Sequence, residues 1–305
     1  MSGEHLSEPQ PLLRWHVGEV TITRILESTF DGGLDEFMPF ATPEAIRAIE
    51  WLGPEFVTPE GVLKFSIHAL VIEAEGRRIL VDTCVGNEKE RAAFPIWHMQ
   101  QYAFLRDLAA AGFSPDTIDT VLCTHLHLDH VGWNTMKVGE KWVPTFPNAR
   151  YLIGETEFRQ LSEGIAAAPA DDVMREVDRL VLNDSVTPVI EAGLVDFVSS
   201  DHQICETVRL VPTPGHTAGH VSVEISSGKD TALITGDFIH HPCQLAHPDW
   251  SITSDFDPDE STRTRSRIFS RVAGTDNLVI GTHWPDPTAG HVDRDGDAYK
   301  LRETG

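Results

Sequence analysis

Within one stretch of seven residues, Thr124-His125-Leu126-His127-Leu128-Asp129-His130, stand three imidazoles and a carboxylate. Imidazole nitrogens and carboxylate oxygens are the donors that divalent cations such as zinc accept. One histidine beside a strand is ordinarily a packed or hydrogen-bonded side chain. Four titratable groups among apolar neighbours are different, because burying them without partners would be costly. His125 and His127 lie two apart and project to the same side if the chain stays extended. Asp129 and His130 come after a turn begins and can face a second ion. Leu126 and Leu128 alternate with the donors and anchor the loop.

Three later strings repeat the arrangement: Pro214-Gly215-His216-Thr217, Thr235-Gly236-Asp237 and Gly281-Thr282-His283. In each, a side chain able to bind metal follows a glycine that permits a tight turn. Taken singly, each would read as a turn; their recurrence behind apolar runs makes them partners of the first string.

Such groups need rigid supports. The short apolar run Thr120–Thr124 reads as a buried strand leading into the first string. Thr207–Val211, Thr231–Thr235 and Leu278–Ile280 read as strands before His216, Asp237 and His283. Elsewhere Val20–Leu26 reads as a strand, Ser66–Glu73 and Arg78–Asp82 as a hairpin, and Arg150–Ile153 and His220–Ile225 as further strands. Helical spacing is expected over Trp97–Ala111, Thr156–Leu161, Asp171–Leu182 and Asp259–Val272. Between Phe30 and Leu63 the chain is proline-rich and irregular, with a short helix near Pro43–Trp51. Residues 1–15 read as a tail and 16–305 as one domain. This alternation suggests a layered α/β fold with two sheets between helices.

The HxHxDH string, followed in order by GHT, GD and a late TH, resembles the metallo-β-lactamase superfamily over most of the chain, from about Val20 to His283. The resemblance implies a four-layer αββα sandwich with the site at one edge of its two sheets. It implies that His125, His127 and His216 bind one divalent ion, that Asp129, His130 and His283 bind a second, and that Asp237 bridges them. Zinc suits these ligands, with iron, manganese or cobalt as the other options. A water shared by two cations is acidified enough to supply hydroxide near neutral pH. Asp82, closing its strand, matches the acid that orients a ligating histidine in this family. The family often has glycine two residues further on; Cys84 stands there and is taken as structural.

Asp129 and His240 are the residues expected to share in the chemistry itself. Acyl-homoserine lactonases of the superfamily carry a tyrosine three residues after the bridging aspartate, and here that position is His240. An oxyanion donor or leaving-group acid is the part expected of it. Trp51, Phe94, Trp97, His98, Met99, Trp133 and Trp250 are the candidate pocket walls, implying an apolar, uncharged substrate. The leading expectation is a hydrolase of small ester-like substrates, lactones first, on the lactonase and organophosphate-hydrolase branch. Phosphotriester hydrolysis is the alternative, and an iron-dependent persulfide dioxygenase is the alternative of another class. A non-catalytic binding protein is the third reading, but such members tend to lose ligands and all seven are here.

Composition narrows the partners. Lys and Arg number 24 against 47 Asp and Glu, a net charge of −23 that disfavours nucleic acid and anionic lipid. Cys84, Cys123, Cys205 and Cys243 are far apart and form no zinc-knuckle or disulfide pattern, which suits reduced thiols in a cytoplasmic protein. The N-terminal residues lack the layout of a secretory signal. A small-molecule substrate is expected, with a homodimer as the assembly suggested by family analogy.

Overall fold

The computed structural model describes residues 12–32, 37–169 and 171–303. The chain opens with β1 (Arg14–Val17) and β2 (Val20–Asp31), then α1 (Pro43–Arg47), β3 (Lys64–Ala74), β4 (Arg77–Val81), α2 (Phe104–Ala110) and β5 (Thr120–Leu122). A small hairpin, β6 (Thr135–Val138) with β7 (Lys141–Pro144), precedes β8 (Arg150–Gly154), α3 (Glu155–Ala167) and α4 (Val173–Val181). A single π-helical turn, Leu182–Val186, joins α4 to α5 (Thr187–Glu191) and β9 (Val195–Val198). The second half holds β10 (Gln203–Cys205), β11 (Val208–Pro212), β12 (Val221–Ser227), β13 (Asp230–Ile234), α6 (Cys243–Ala246) and α7 (Pro258–Val272). It ends in β14 (Leu278–Ile280), β15 (Ala289–Asp295) and β16 (Ala298–Glu303).

Two seven-stranded sheets result, in the orders β1-β2-β3-β4-β5-β8-β9 and β10-β11-β12-β13-β14-β15-β16. Strand alternation assigns each side chain to a layer. Ile22, Leu70, Ile72, Ile79, Val81, Leu122 and Leu152 of the first sheet meet Leu210, Val223, Ile225, Ile234 and Ile280 of the second. Their neighbours Ala69, Val71, Leu80, Val121, Tyr151 and Ile153 turn the other way, onto Phe104, Leu108, Leu161, Val177 and Val189 of the helices α2 to α5. On the far side Leu233, Val279 and Val292 pack against Leu245 of α6 and Ile268, Phe269 and Val272 of α7. The layers are therefore helix, sheet, sheet, helix, as the αββα reading requires. With each buried aliphatic side chain contributing about 1.5–3 kcal/mol, packing rather than length holds the three-residue strands β5 and β14.

β4, β5, β8 and β9 run parallel, as do β13 and β14. Open α/β sheets place ligands just beyond the carboxyl ends of such strands. Asp82 leaves the end of β4, His125 to His130 follow β5, Asp237 follows β13 and His283 follows β14. A bond from Val221 N to Thr124 O, 3.1 Å long, joins the two sheets beside this edge.

Several boundaries differ from expectation. Arg14 and Trp15, assigned to the tail, pair with Thr23 and Ile22 in β1; residues 1–11 of that tail lie outside the described residues. The helix expected from Trp97 begins only at Phe104. Before it, the main chain from Glu88 to Gln100 folds back on itself through Glu88 N to Gln100 O (3.0 Å) and Met99 N to Lys89 O (2.8 Å). Those bonds outweigh the helical spacing of the side chains. The hairpins β6–β7 and β15–β16 had no clear signal in the sequence.

Candidate metal centre

All seven residues of the expected cradle converge. The ring nitrogens of His125, His127 and His216 form one group of donors and Asp129, His130 and His283 another, each with its atoms within 4.8 Å of one another. Asp237 stands between them. Its Oδ2 is 3.7 Å from His125 Nε2 and 3.6 Å from His216 Nε2 on one side, and 3.2 Å from both His130 Nε2 and His283 Nε2 on the other. His127 offers Nδ1 where the others offer Nε2, and that atom is 2.9 Å from His216 Nε2. His240 Nε2 is 3.2 Å from Asp237 Oδ2, and with His216 and Asp237 it makes a further triad able to hold an ion.

Backbone geometry aims these groups. Gly215 has φ +133°, and a Cβ there would lie 2.3 Å from Ser261 N. Gly236, at φ +58°, would place one 2.6 Å from His220 Nε2. At both turns only glycine fits. Asp82 and Cys84 adopt φ +57° and +52° without being glycine. Cys84 thus occupies, at a cost in strain, a left-handed position that suits glycine.

His130, His216 and His283 are each oriented through Nδ1, which turns Nε2 inward. His130 Nδ1 donates to Asp82 Oδ2 at 3.0 Å, and Asp82 in turn accepts from Thr124 N and Thr124 Oγ1 at 2.8 and 2.9 Å. His216 Nδ1 donates to Asp255 Oδ1 at 3.1 Å, and His283 Nδ1 to the Ser66 carbonyl at 3.2 Å. His220 accepts from Asp237 N at Nε2, 2.7 Å, while its Nδ1 donates to the Thr213 carbonyl at 3.0 Å. Glu157 accepts from Leu126 N and Gly219 N and from the Thr217 hydroxyl, clamping two of the ligand loops together.

Asp255, His220, Glu157 and Ser66 escaped the sequence reading. Asp255 sits in the acidic run Ser254-Asp255-Phe256-Asp257, and Glu157 looks like an ordinary acid in a first helical turn. His220, four residues after His216, was the one with a usable signal.

Electrostatics tests whether a cation fits. Burial, reinforced by neighbouring imidazoles, holds His125 and His216 well below the usual histidine range, and His127 is lowered to about 3 for the same reasons. These rings are neutral and present lone pairs. Burial also works against protonation of His130 and His283, but Asp237 and Asp129 override it and raise both. Asp237, despite its burial, is held well below the usual carboxylate range by His130, His283 and His240. Among the described residues, His125 Nε2 and Asp237 Oδ1 are buried without a hydrogen-bond partner. Facing lone pairs with buried, unpartnered donor atoms fit divalent cations by number and type.

The cluster opens into an apolar pocket bounded by Phe30, Phe37, Met38, Phe65, Ile67, Phe94, Trp97, Met174, Val177 and Ile252. Asp129, Asp237, His240 and His283 stand at its floor with His127 and His216. Those last two also border a polar cleft containing Gln160, Asp172, Arg175 and Ser254. Of the expected walls only Phe94 and Trp97 serve. Trp133 stacks on Phe104 and donates to Glu27, Trp250 stacks on His247, and Trp51 packs at the edge of the α7 layer. His98 accepts from Arg91 N, and Met99 is exposed. Aromatic type alone did not distinguish wall from core; the walls on β2 and β3 come from strands far from the ligand strings.

Residues 63–304 match the sequence model of the metallo-β-lactamase superfamily. An N-acyl homoserine lactonase of Bacillus thuringiensis is 25% identical over 190 residues, amounting to 58% of this chain and 65% of that protein. The match thus spans just under two thirds of the relative's length. Two solved structures superpose along nearly the whole chain. AidC, a dizinc quorum-quenching lactonase in complex with a product, gives a TM-score of 0.80 at 21% identity, covering 98% of this chain and 99% of its own. The hydrolase AbOPH, in the β-lactamase superfamily, gives 0.81 at 24% identity with the same coverage. At these identities the structural likeness establishes the fold.

Proposed function

The chain belongs to the metallo-β-lactamase superfamily, and from that premise we propose that it is a metal-dependent hydrolase of small, apolar, ester-like substrates, with lactones first. The observation that carries the reading is the junction of two features: buried donor atoms without partners and an apolar pocket that ends on them. His125, His127 and His216 would hold one divalent ion, Asp129, His130 and His283 a second, and Asp237 would contact both. Divalent ions held there, zinc by ligand type, would supply an acidified water and a Lewis-acid contact for the substrate carbonyl.

The chain's own groups do the rest. Apolar walls from β2, β3, the 88–100 loop and α4 take the apolar arm and exclude bulk water, strengthening every electrostatic contact at the floor. Asp129, partly open to the pocket, accepts a proton at its carboxylate and returns it to the departing oxygen. His240 lies on the same floor, beside Asp237, and would serve as the donor to the carbonyl oxygen as charge develops there. Lactonase relatives by sequence and by fold support this choice of substrate. Phosphotriester hydrolysis is the second reading, which His240, standing where the lactonase resemblance implies tyrosine, fits no worse.

A panel of lactone, phosphotriester, thioester and β-lactam substrates, offered to metal-loaded protein and followed by proton release, tests the proposal. Lactone opening should be the fastest reaction, and His240→Gln should lower kcat about a hundredfold at unchanged metal content. Oxygen consumption with no hydrolysis of any member would overturn the hydrolase reading.

A further inference from the structure

Away from the metal centre, two cations and one carboxylate are buried together. Lys89 and Arg91 have fully buried side chains, and Asp184 is the acid they share. Arg91 grips it with both arms, Nη1 to Oδ2 at 2.8 Å and Nη2 to Oδ1 at 2.9 Å. Lys89 Nζ donates to the Asp184 carbonyl at 2.9 Å and to Thr135 Oγ1 at 2.7 Å, and lies 3.7 Å above the Trp142 ring. Thr135 passes its own proton to the same carbonyl, and Ser185 Oγ donates to Asp184 Oδ1 at 2.6 Å. Asp184 sits in the π-helical turn, where the widened ring leaves carbonyls free for such side-chain donors.

A buried ion pair with a lysine beside it is often no more stabilising than an apolar trio of the same volume, so the cluster is a poor device for stability alone. Its placement points elsewhere. Lys89 and Arg91 lie in the closed loop 88–100, which contributes Phe94 and Trp97 to the apolar pocket. Asp184 continues the helical run of α4, which contributes Met174 and Val177 to the same pocket. No ligand of the metal cradle touches Asp184. The cluster therefore ties together two walls that have no other ion pair between them among the described residues.

We propose that Asp184 is a positioning residue: through Arg91 and Lys89 it holds the 88–100 loop against α4 and thereby sets the length of apolar arm the site accepts. The proposal rests on the ester-hydrolase reading for its substrate class but has a readout of its own. Lactones with alkyl arms of increasing length are compared in metal-loaded wild type and Asp184→Asn. In parallel, calorimetry measures binding of unreactive alkyl amides of the same lengths, which decides the matter even if no lactone is turned over. In Asp184→Asn the KM and the amide Kd for long arms should rise about tenfold, with short arms, kcat and metal content unchanged. Arg91→Lys keeps the charge but loses the two-armed grip, so it should shift the same long-arm values by less. It also carries the test if the asparagine variant does not fold. The same proportional change at every arm length, or no change in either variant, would overturn the proposal.

Discussion

Asp255 shows how a residue outside the candidate donor set can orient one of its members. Its carboxylate is buried, accepts from His216 Nδ1 at 3.1 Å and is 3.8 Å from Arg265. That bond holds the His216 lone pair on Nε2, toward the cluster. Replacing Asp255 by Asn keeps the shape but weakens the acceptor, so one of two metal affinities should fall by about tenfold or more. Competition against a chromophoric chelator checks this, and two unaltered affinities would contradict it. The convergence of the candidate donors was legible because four titratable groups crowd into one apolar stretch, which has no inexpensive explanation without a cation. Asp255 and Glu157 were not, because a single acid in a loop or first helical turn is the commonest solvated residue there is. The function of such a residue lies in what faces it, and spacing along the chain does not carry that information.

The elements carry a second lesson in the closed loop 88–100. Helical period in the side chains predicted a start at Trp97, yet bonds between Glu88, Lys89, Met99 and Gln100 hold the backbone in another path until Phe104. Propensity is a weak prior against tertiary contacts of that kind. By contrast the strands leading to the ligands were legible, because alternation between inter-sheet and helix-facing layers gives continuous apolar runs. Lys89, inside the loop, yields a prediction on pH. Burial, with Arg91 adding to it and Asp184 opposing, lowers its ammonium to about 7, against an ordinary 10.5 in the unfolded chain. Between those values the unfolded state binds the extra proton, so folded stability attributable to Lys89 rises with pH there. Below about 7 both states are protonated and the contribution is flat, burdened by the buried charge. Relative to Lys89→Met, the wild type should therefore gain stability as pH rises above 7, as read from urea unfolding at a series of pH values. A wild type that loses stability relative to Lys89→Met as pH rises above 7, or shows no change, would refute the assignment.

At the scale of the whole molecule, the two sheets present loops from the ends of β4, β5, β11, β13 and β14 to one edge, and that convergence makes a single site from residues as distant as 82 and 283. A net charge of −23 surrounds it, which concentrates cations and repels anionic polymers. No helix among the described residues is long and apolar enough to cross a membrane. The family and the layer order were legible from the ordered motifs. Which apolar residues wall the site was not, since β2 and β3 bring theirs from far along the chain. On the function proposed above, this edge holds two ions, with Asp237 between them. Elemental analysis after stripping, reloading and desalting measures it directly. Two equivalents of metal per chain are expected in the wild type, and clearly fewer in Asp237→Ala that remains folded. A wild type that retains one ion or none, or an Asp237→Ala variant that still holds two, would contradict it.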